Sequence, residues 1–79
     1  MTNLGKYDKV FRRVLKKEQD ELKDLGYRGV PAWDSLEHMN LIGELEEVFD
    51  VMLETPDMLA FSSYEKGKEI MKKYGVVIE

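Results

Sequence analysis

The chain has no cysteine, a single histidine and two prolines in 79 residues. Without thiols, neither a disulfide frame nor a thiolate metal site can hold the fold together. Stability must come from a core, and a reducing cytoplasm is the expected setting. The lone histidine, His38, is followed one turn on by Leu41 and Ile42, so the usual zinc-ligand spacing is missing and no metal site is expected. No apolar run approaches bilayer length, and "MTNLGKYDKVFRR" lacks the continuous apolar block of a secretory signal. No membrane span is expected. A chain this short forms one domain, residues 1–79, with little room for a walled substrate cavity, which argues against an enzyme.

Positive charge is missing from one stretch of the chain. Residues 34–57 carry Asp34, Glu37, Glu44, Glu46, Glu47, Asp50, Glu54 and Asp57 with no Lys or Arg, whereas residues 1–33 are mildly basic. The formal net charge is −4. Such an acidic surface repels nucleic acid and would steer a basic protein partner toward it.

What is present is helical periodicity. Leu4, Tyr7, Val10, Phe11, Val14 and Leu15 recur at three- and four-residue steps, predicting a first helix over residues 4–18 with Lys9, Arg12, Arg13, Lys16 and Lys17 toward water. Gly26, Gly29 and Pro31 then impose a long connection, pinned to the core by Leu25, Tyr27, Val30 and Trp33. Asp34 and Glu37 have capping-box spacing and open a second helix. Its stripe of Leu36, Met39, Ile42, Leu45, Val48 and Phe49 runs to about Asp50. Pro56 leads into a one-turn helix at residues 57–60. Ser62 with Glu65 repeats the capping spacing, and Tyr64, Gly67, Ile70, Met71 and Tyr74 follow at helical steps until Gly75. With no strand alternation, the fold class is all-α: a small four-helix bundle of three main helices and one short one, with a long first loop.

Ser35 stands at the head of the acidic helix. Asp and Ser are common at helix starts, so capping alone would account for them. A hydroxyl there also lies at the positive end of the helix dipole, where an attached phosphate would be stabilised. Asp34, Ser35 and His38 supply the residue types of a hydrolytic triad, but they sit on one helix with no nucleophile elbow or second wall. His38 is expected as a partly exposed polar neighbour of Ser35.

The stretch "WDSLEHMNLIGELEEVFD" resembles the attachment motif and second helix of acyl carrier proteins: Asp-Ser-Leu, then a Leu/Ile/Met stripe, a Glu-Glu pair and Phe-Asp. The order of elements resembles that family along the whole chain. The resemblance implies a cytoplasmic carrier and no catalysis of its own. A phosphopantetheinyl transferase would move 4'-phosphopantetheine from coenzyme A to Ser35, flanked by Asp34 and Leu36, and the arm's thiol would hold acyl groups as thioesters. Glu37, Met39, Glu44, Glu46 and Glu47 would then form the face read by basic docking patches on acyl-loading and acyl-transferring enzymes. For Asp50 and Glu54, recognition and ordinary helix-face charge stay open. A shuttle of this kind is expected to be monomeric.

In the family fold, Met39 and the apolar faces of Leu36, Ile42, Leu45, Phe49, Leu59, Phe61, Tyr64 and Ile70 would line the interior, chiefly as core, with some able to shelter an acyl chain. Ala32 and Trp33 before the motif and Gly43 within the helix depart from the housekeeping fatty-acid carrier. They resemble carriers dedicated to specialised pathways such as polyketide, modified amino-acid or surface-polysaccharide assembly. Mid-helix Gly43 suggests a packing or partner reason. The alternative is an unmodified helical adaptor that binds a basic protein through its acidic second helix.

Overall fold

Thr2 starts the first helix by accepting a hydrogen bond from Gly5 N at 3.0 Å through its hydroxyl. In the computed structural model, which describes residues 2–29, 31 and 33–79, helix α1 spans Asn3–Leu15. Met1, Val30 and Ala32 lie outside the described residues, and with them the expected pinning by Val30 and the departure at Ala32. Helix α1 ends three residues sooner than the periodicity predicts. Lys16 adopts the left-handed conformation (φ 56°) and returns its N–H to Arg12 O. Glu18, freed from the helix, opens a 3-10 helix over Gln19–Asp24, its N–H donating to Glu21 Oε1 at 2.8 Å. The expected long loop is therefore partly helical, and it buries Leu22, Leu25 and Trp33.

Helix α2 spans Ser35–Phe49, capped by Asp34 Oδ1, which accepts from Glu37 N at 2.9 Å. Only half of the expected capping box forms, because Glu37 Oε1 accepts from Asn40 Nδ2 at 2.6 Å instead. Helix α3, Thr55–Ala60, starts two residues earlier than predicted because Pro56 fits the first turn, where no N–H is needed. Helix α4 covers Tyr64–Lys73. Its cap is Ser63, not the expected Ser62: the Ser62 carbonyl accepts from Tyr27 N at 2.8 Å, and Tyr64 N donates to Leu25 O at 3.0 Å. These bonds form the antiparallel Gly26–Ser63 bridge, which holds Ser63 extended (φ −161°, ψ 166°) as the cap, with Ser63 Oγ accepting from Lys66 N. The described residues contain no strand, and the molecule is a small all-helical bundle.

The core is built on aromatic rings. Phe11 packs edge-on against Trp33 and Tyr64 at 5.6 and 5.2 Å and lies parallel-displaced from Phe61 at 6.2 Å. Ile42, Leu45, Phe61, Tyr64 and Ile70 are buried as expected, with Leu41 and Met71 beside them. Helix α3 buries no residue fully, so polar ties hold it: Lys73 Nζ reaches Asp57 Oδ1 at 2.6 Å and the Tyr74 hydroxyl donates to Asp57 Oδ2. These two donors hold the Asp57 carboxyl below its ordinary value. At the C-terminal end Val76 is buried and Asn3 Nδ2 donates to Val77 O at 3.1 Å, which ties the tail to α1.

One buried polar chain crosses this core. The Tyr7 hydroxyl donates to Tyr64 O at 2.7 Å, the Tyr64 hydroxyl donates to Asp8, and Gln19 Nε2 donates to the other Asp8 oxygen at 2.7 Å. Burial is the main cause pushing both phenols well above their ordinary 10.0, with the hydrogen bond to Asp8 adding to it for Tyr64. An unfolded chain therefore releases these protons from about pH 10 upward while the folded chain keeps them. Stability is intact below that pH and falls as pH rises. Each of the two tyrosines contributes on the order of 1 kcal/mol per pH unit to that fall. Urea unfolding in steps from neutral to strongly alkaline pH measures it, and Tyr7→Phe should make the fall shallower.

Gly43 has no packing reason in α2. It is exposed, and a Cβ built on it meets nothing within 4 Å. Gly43→Ala is expected to stabilise the chain by about 0.5–1 kcal/mol, the ordinary helix-propensity difference. A urea midpoint that fails to rise would contradict this account of the position.

Candidate functional site

Ser35 is the first residue of α2, exposed, with its helix already capped by Asp34. Its hydroxyl is therefore not consumed by the backbone. The Tyr27 hydroxyl lies 3.0 Å from Ser35 Oγ, and either oxygen can donate. Tyr27 was expected only as a pin for the loop. Its aromatic character was readable, but a contact across eight residues and a chain reversal leaves no local signature.

His38 departs from expectation, being buried at 8% exposure. Trp33 Nε1, which can only donate, points at His38 Nδ1 at 3.0 Å, and His38 Nε2 lies 2.9 Å from Met58 O, which can only accept. The ring is therefore the Nε2–H tautomer, with both nitrogens engaged away from Ser35. No Ser–His relay forms. The imidazole enters the core because it satisfies the indole N–H of fully buried Trp33, and it joins α2 to α3.

This turns α2 relative to the predicted stripe. The buried face is His38, Leu41, Ile42 and Leu45, and it leaves Leu36 and Met39 71% and 58% exposed. Leu59 on α3 is exposed as well. These three side chains do not line the interior, contrary to the sequence reading, and Val48 also lies at the surface. Apolar surface thus flanks Ser35.

The acidic residues divide by what they bind. Glu44 Oε2 pairs with Arg13 Nη2 of α1 at 2.6 Å, and Glu46 Oε2 accepts from Leu53 N at 2.9 Å. Both contribute to internal geometry. Glu37 engages Asn40 through one oxygen, whereas Asp34, Glu47 and Asp50 are exposed. A broad surface recess lies elsewhere, lined along α1 by Lys9, Arg12, Arg13, Lys16 and Lys17, with neither Ser35 nor Tyr27 in its wall.

The residues around Ser35 suit an attached phosphodiester: an exposed hydroxyl at the positive end of a 15-residue helix, with a second hydroxyl as a ready donor. Within hydrogen-bonding reach there is no base that could make the serine a nucleophile by itself among the described residues. No helix among the described residues is long and apolar enough to cross a membrane. Compared with models of known families, with curated proteins and with solved structures, the chain finds no match.

Proposed function

We propose that the chain is an acyl carrier of a specialised biosynthetic pathway, with Ser35 as the attachment point of 4'-phosphopantetheine. The observation that carries this reading is the hydroxyl of Ser35 at the head of α2, exposed and relieved of capping by Asp34. When bound, the arm supplies a terminal thiol for thioester exchange, chemistry that a cysteine-free chain lacks. The chain's own residues present and orient Ser35 and offer a surface to partner enzymes.

That surface combines exposed Leu36 and Met39 with Asp34, Glu37 and Glu47. Apolar contact next to acidic charge supports brief, steered encounters with basic docking patches of a transferase and of acyl-handling enzymes. Glu44 and Glu46, each with an internal partner, contribute mainly by holding α2 in place. An unmodified adaptor would use the same face without needing the hydroxyl.

Intact-protein mass after incubation with coenzyme A and a promiscuous phosphopantetheinyl transferase tests the proposal. A carrier gains one phosphopantetheine, located by peptide mapping on the segment containing Ser35. An unchanged mass from folded protein favours the adaptor.

A further inference from the structure

Tyr27 lies outside the motif that singles out Ser35, yet it is placed with more constraint than a loop side chain needs. Its backbone N–H is bound by Ser62 O at 2.8 Å. Its ring leans on His38 at 4.7 Å and meets Trp33 edge-on at 6.4 Å. His38 in turn is held at both nitrogens by Trp33 and Met58 O. The phenol is thus anchored to the buried core through rings and its own backbone, with its oxygen directed at Ser35 Oγ at 3.0 Å.

We propose that Tyr27 is the positioning residue for the phosphodiester on Ser35, an inference that rests on the carrier reading. Attachment forms a bond from Ser35 Oγ to phosphorus and breaks the pyrophosphate linkage of coenzyme A. Adenosine 3',5'-bisphosphate departs, and the serine proton passes to a base of the transferase. Before that step either hydroxyl can donate to the other. Afterwards Ser35 Oγ has no proton, so the phenol of Tyr27 holds the only one left in this contact and becomes the donor. Ester oxygens accept poorly, whereas the adjacent non-bridging oxygens carry the phosphodiester charge and form the stronger, charge-assisted bond. Tyr27 thereby fixes the base of the arm against the folded domain and leaves the far end free to move.

The test loads the parent and Tyr27→Phe with phosphopantetheine, confirms each by intact mass, and records 31P spectra of both folded proteins. The Phe ring keeps the packing on His38 and Trp33 and loses only the hydroxyl. The 31P line of the variant is expected to move toward its position in urea-unfolded loaded protein and to narrow as the phosphate gains freedom. As a check independent of the variant's folding, the 13Cζ resonance of Tyr27 in the parent should shift on loading, when the phenol changes from a shared role to obligate donor. A folded variant that refuses the arm would overturn the assignment, since the role of Tyr27 would then lie in the loading step and not on the attached phosphodiester. Loaded proteins with the same 31P line, and a Tyr27 13Cζ unmoved by loading, would overturn it while leaving the carrier reading intact. A parent that accepts no arm would overturn both.

Discussion

The Ser35→Ala chain is expected to gain no mass on incubation with coenzyme A and transferase while folding as the parent does. Complete loss follows because Ser35 Oγ is the atom that would bond to phosphorus, and the neighbouring Tyr27 phenol cannot substitute for it from a different backbone position. Retention of the fold follows from the contacts. Ser35 is exposed, its one side-chain hydrogen bond among the described residues is to Tyr27, and the cap of α2 comes from Asp34. Losing an exposed hydroxyl pair costs about 1 kcal/mol or less, partly offset by the better helix propensity of Ala. The melting temperature should stay within roughly 8 °C of the parent. Asp34→Ala is the contrasting case for stability, expected to cost about 1 kcal/mol through loss of the cap that Ser35→Ala keeps. If Ser35→Ala were modified as readily as the parent, attachment would have to lie elsewhere and the proposed site would be wrong.

Gly67→Ala is expected to cost about 3 kcal/mol or more, the largest stability loss from adding one methyl group anywhere considered above. Gly67 is buried in α4, and a Cβ there would overlap the Tyr7 hydroxyl and the Phe61 ring. Neither neighbour can move aside easily. Both are fully buried, Phe61 lies parallel-displaced from Phe11, and the Tyr7 hydroxyl is committed to Tyr64 O. Overpacking a tight core commonly costs 1–3 kcal/mol, and here it also strains a buried hydrogen bond, exceeding the roughly 1 kcal/mol that Ala gains by propensity. Total stability for a chain of this length is only roughly 4–12 kcal/mol. Circular dichroism melts should show a drop of more than about 12 °C, or no cooperative transition. An unchanged melt would mean that α4 shifts freely against α1. Gly43→Ala, also within a helix, is expected to change stability in the opposite direction, and the two together separate helix propensity from packing.

That contrast also marks what could be read from residues in order. Gly67 lies on the apolar stripe of its helix and Gly43 lies off that of α2, so periodicity separates a core position from a surface one, but it does not tell how closely Tyr7 and Phe61 approach Gly67. The expected packing reason attached to Gly43, whereas the crowded glycine is Gly67. Likewise Ser62 and Ser63 are equivalent as caps until the bridge to Tyr27 and Leu25 assigns the role to Ser63.

The sequence by itself determined the four α-helices, though not the 3-10 helix at Gln19–Asp24, and it placed the start of α2 and the end of α4 closely. Asp34 before an apolar stripe, Pro56 in a first turn and Gly75 after a last one act through bonds only a few residues long, so local chemistry is sufficient. It also determined that α2 is acidic and headed by Ser35. Only the tertiary structure decided which way α2 faces. A periodic stripe locates a helix face only to within about a residue, and the choice was made by the unsatisfied indole N–H of Trp33, which draws His38 inward and leaves Leu36 and Met39 at the surface. The same packing brings Tyr27 to Ser35 and divides the acids, with Glu44 bound to Arg13 and Glu47 left exposed. These contacts cross from one element to another, and their geometry exists only once the core has formed around them.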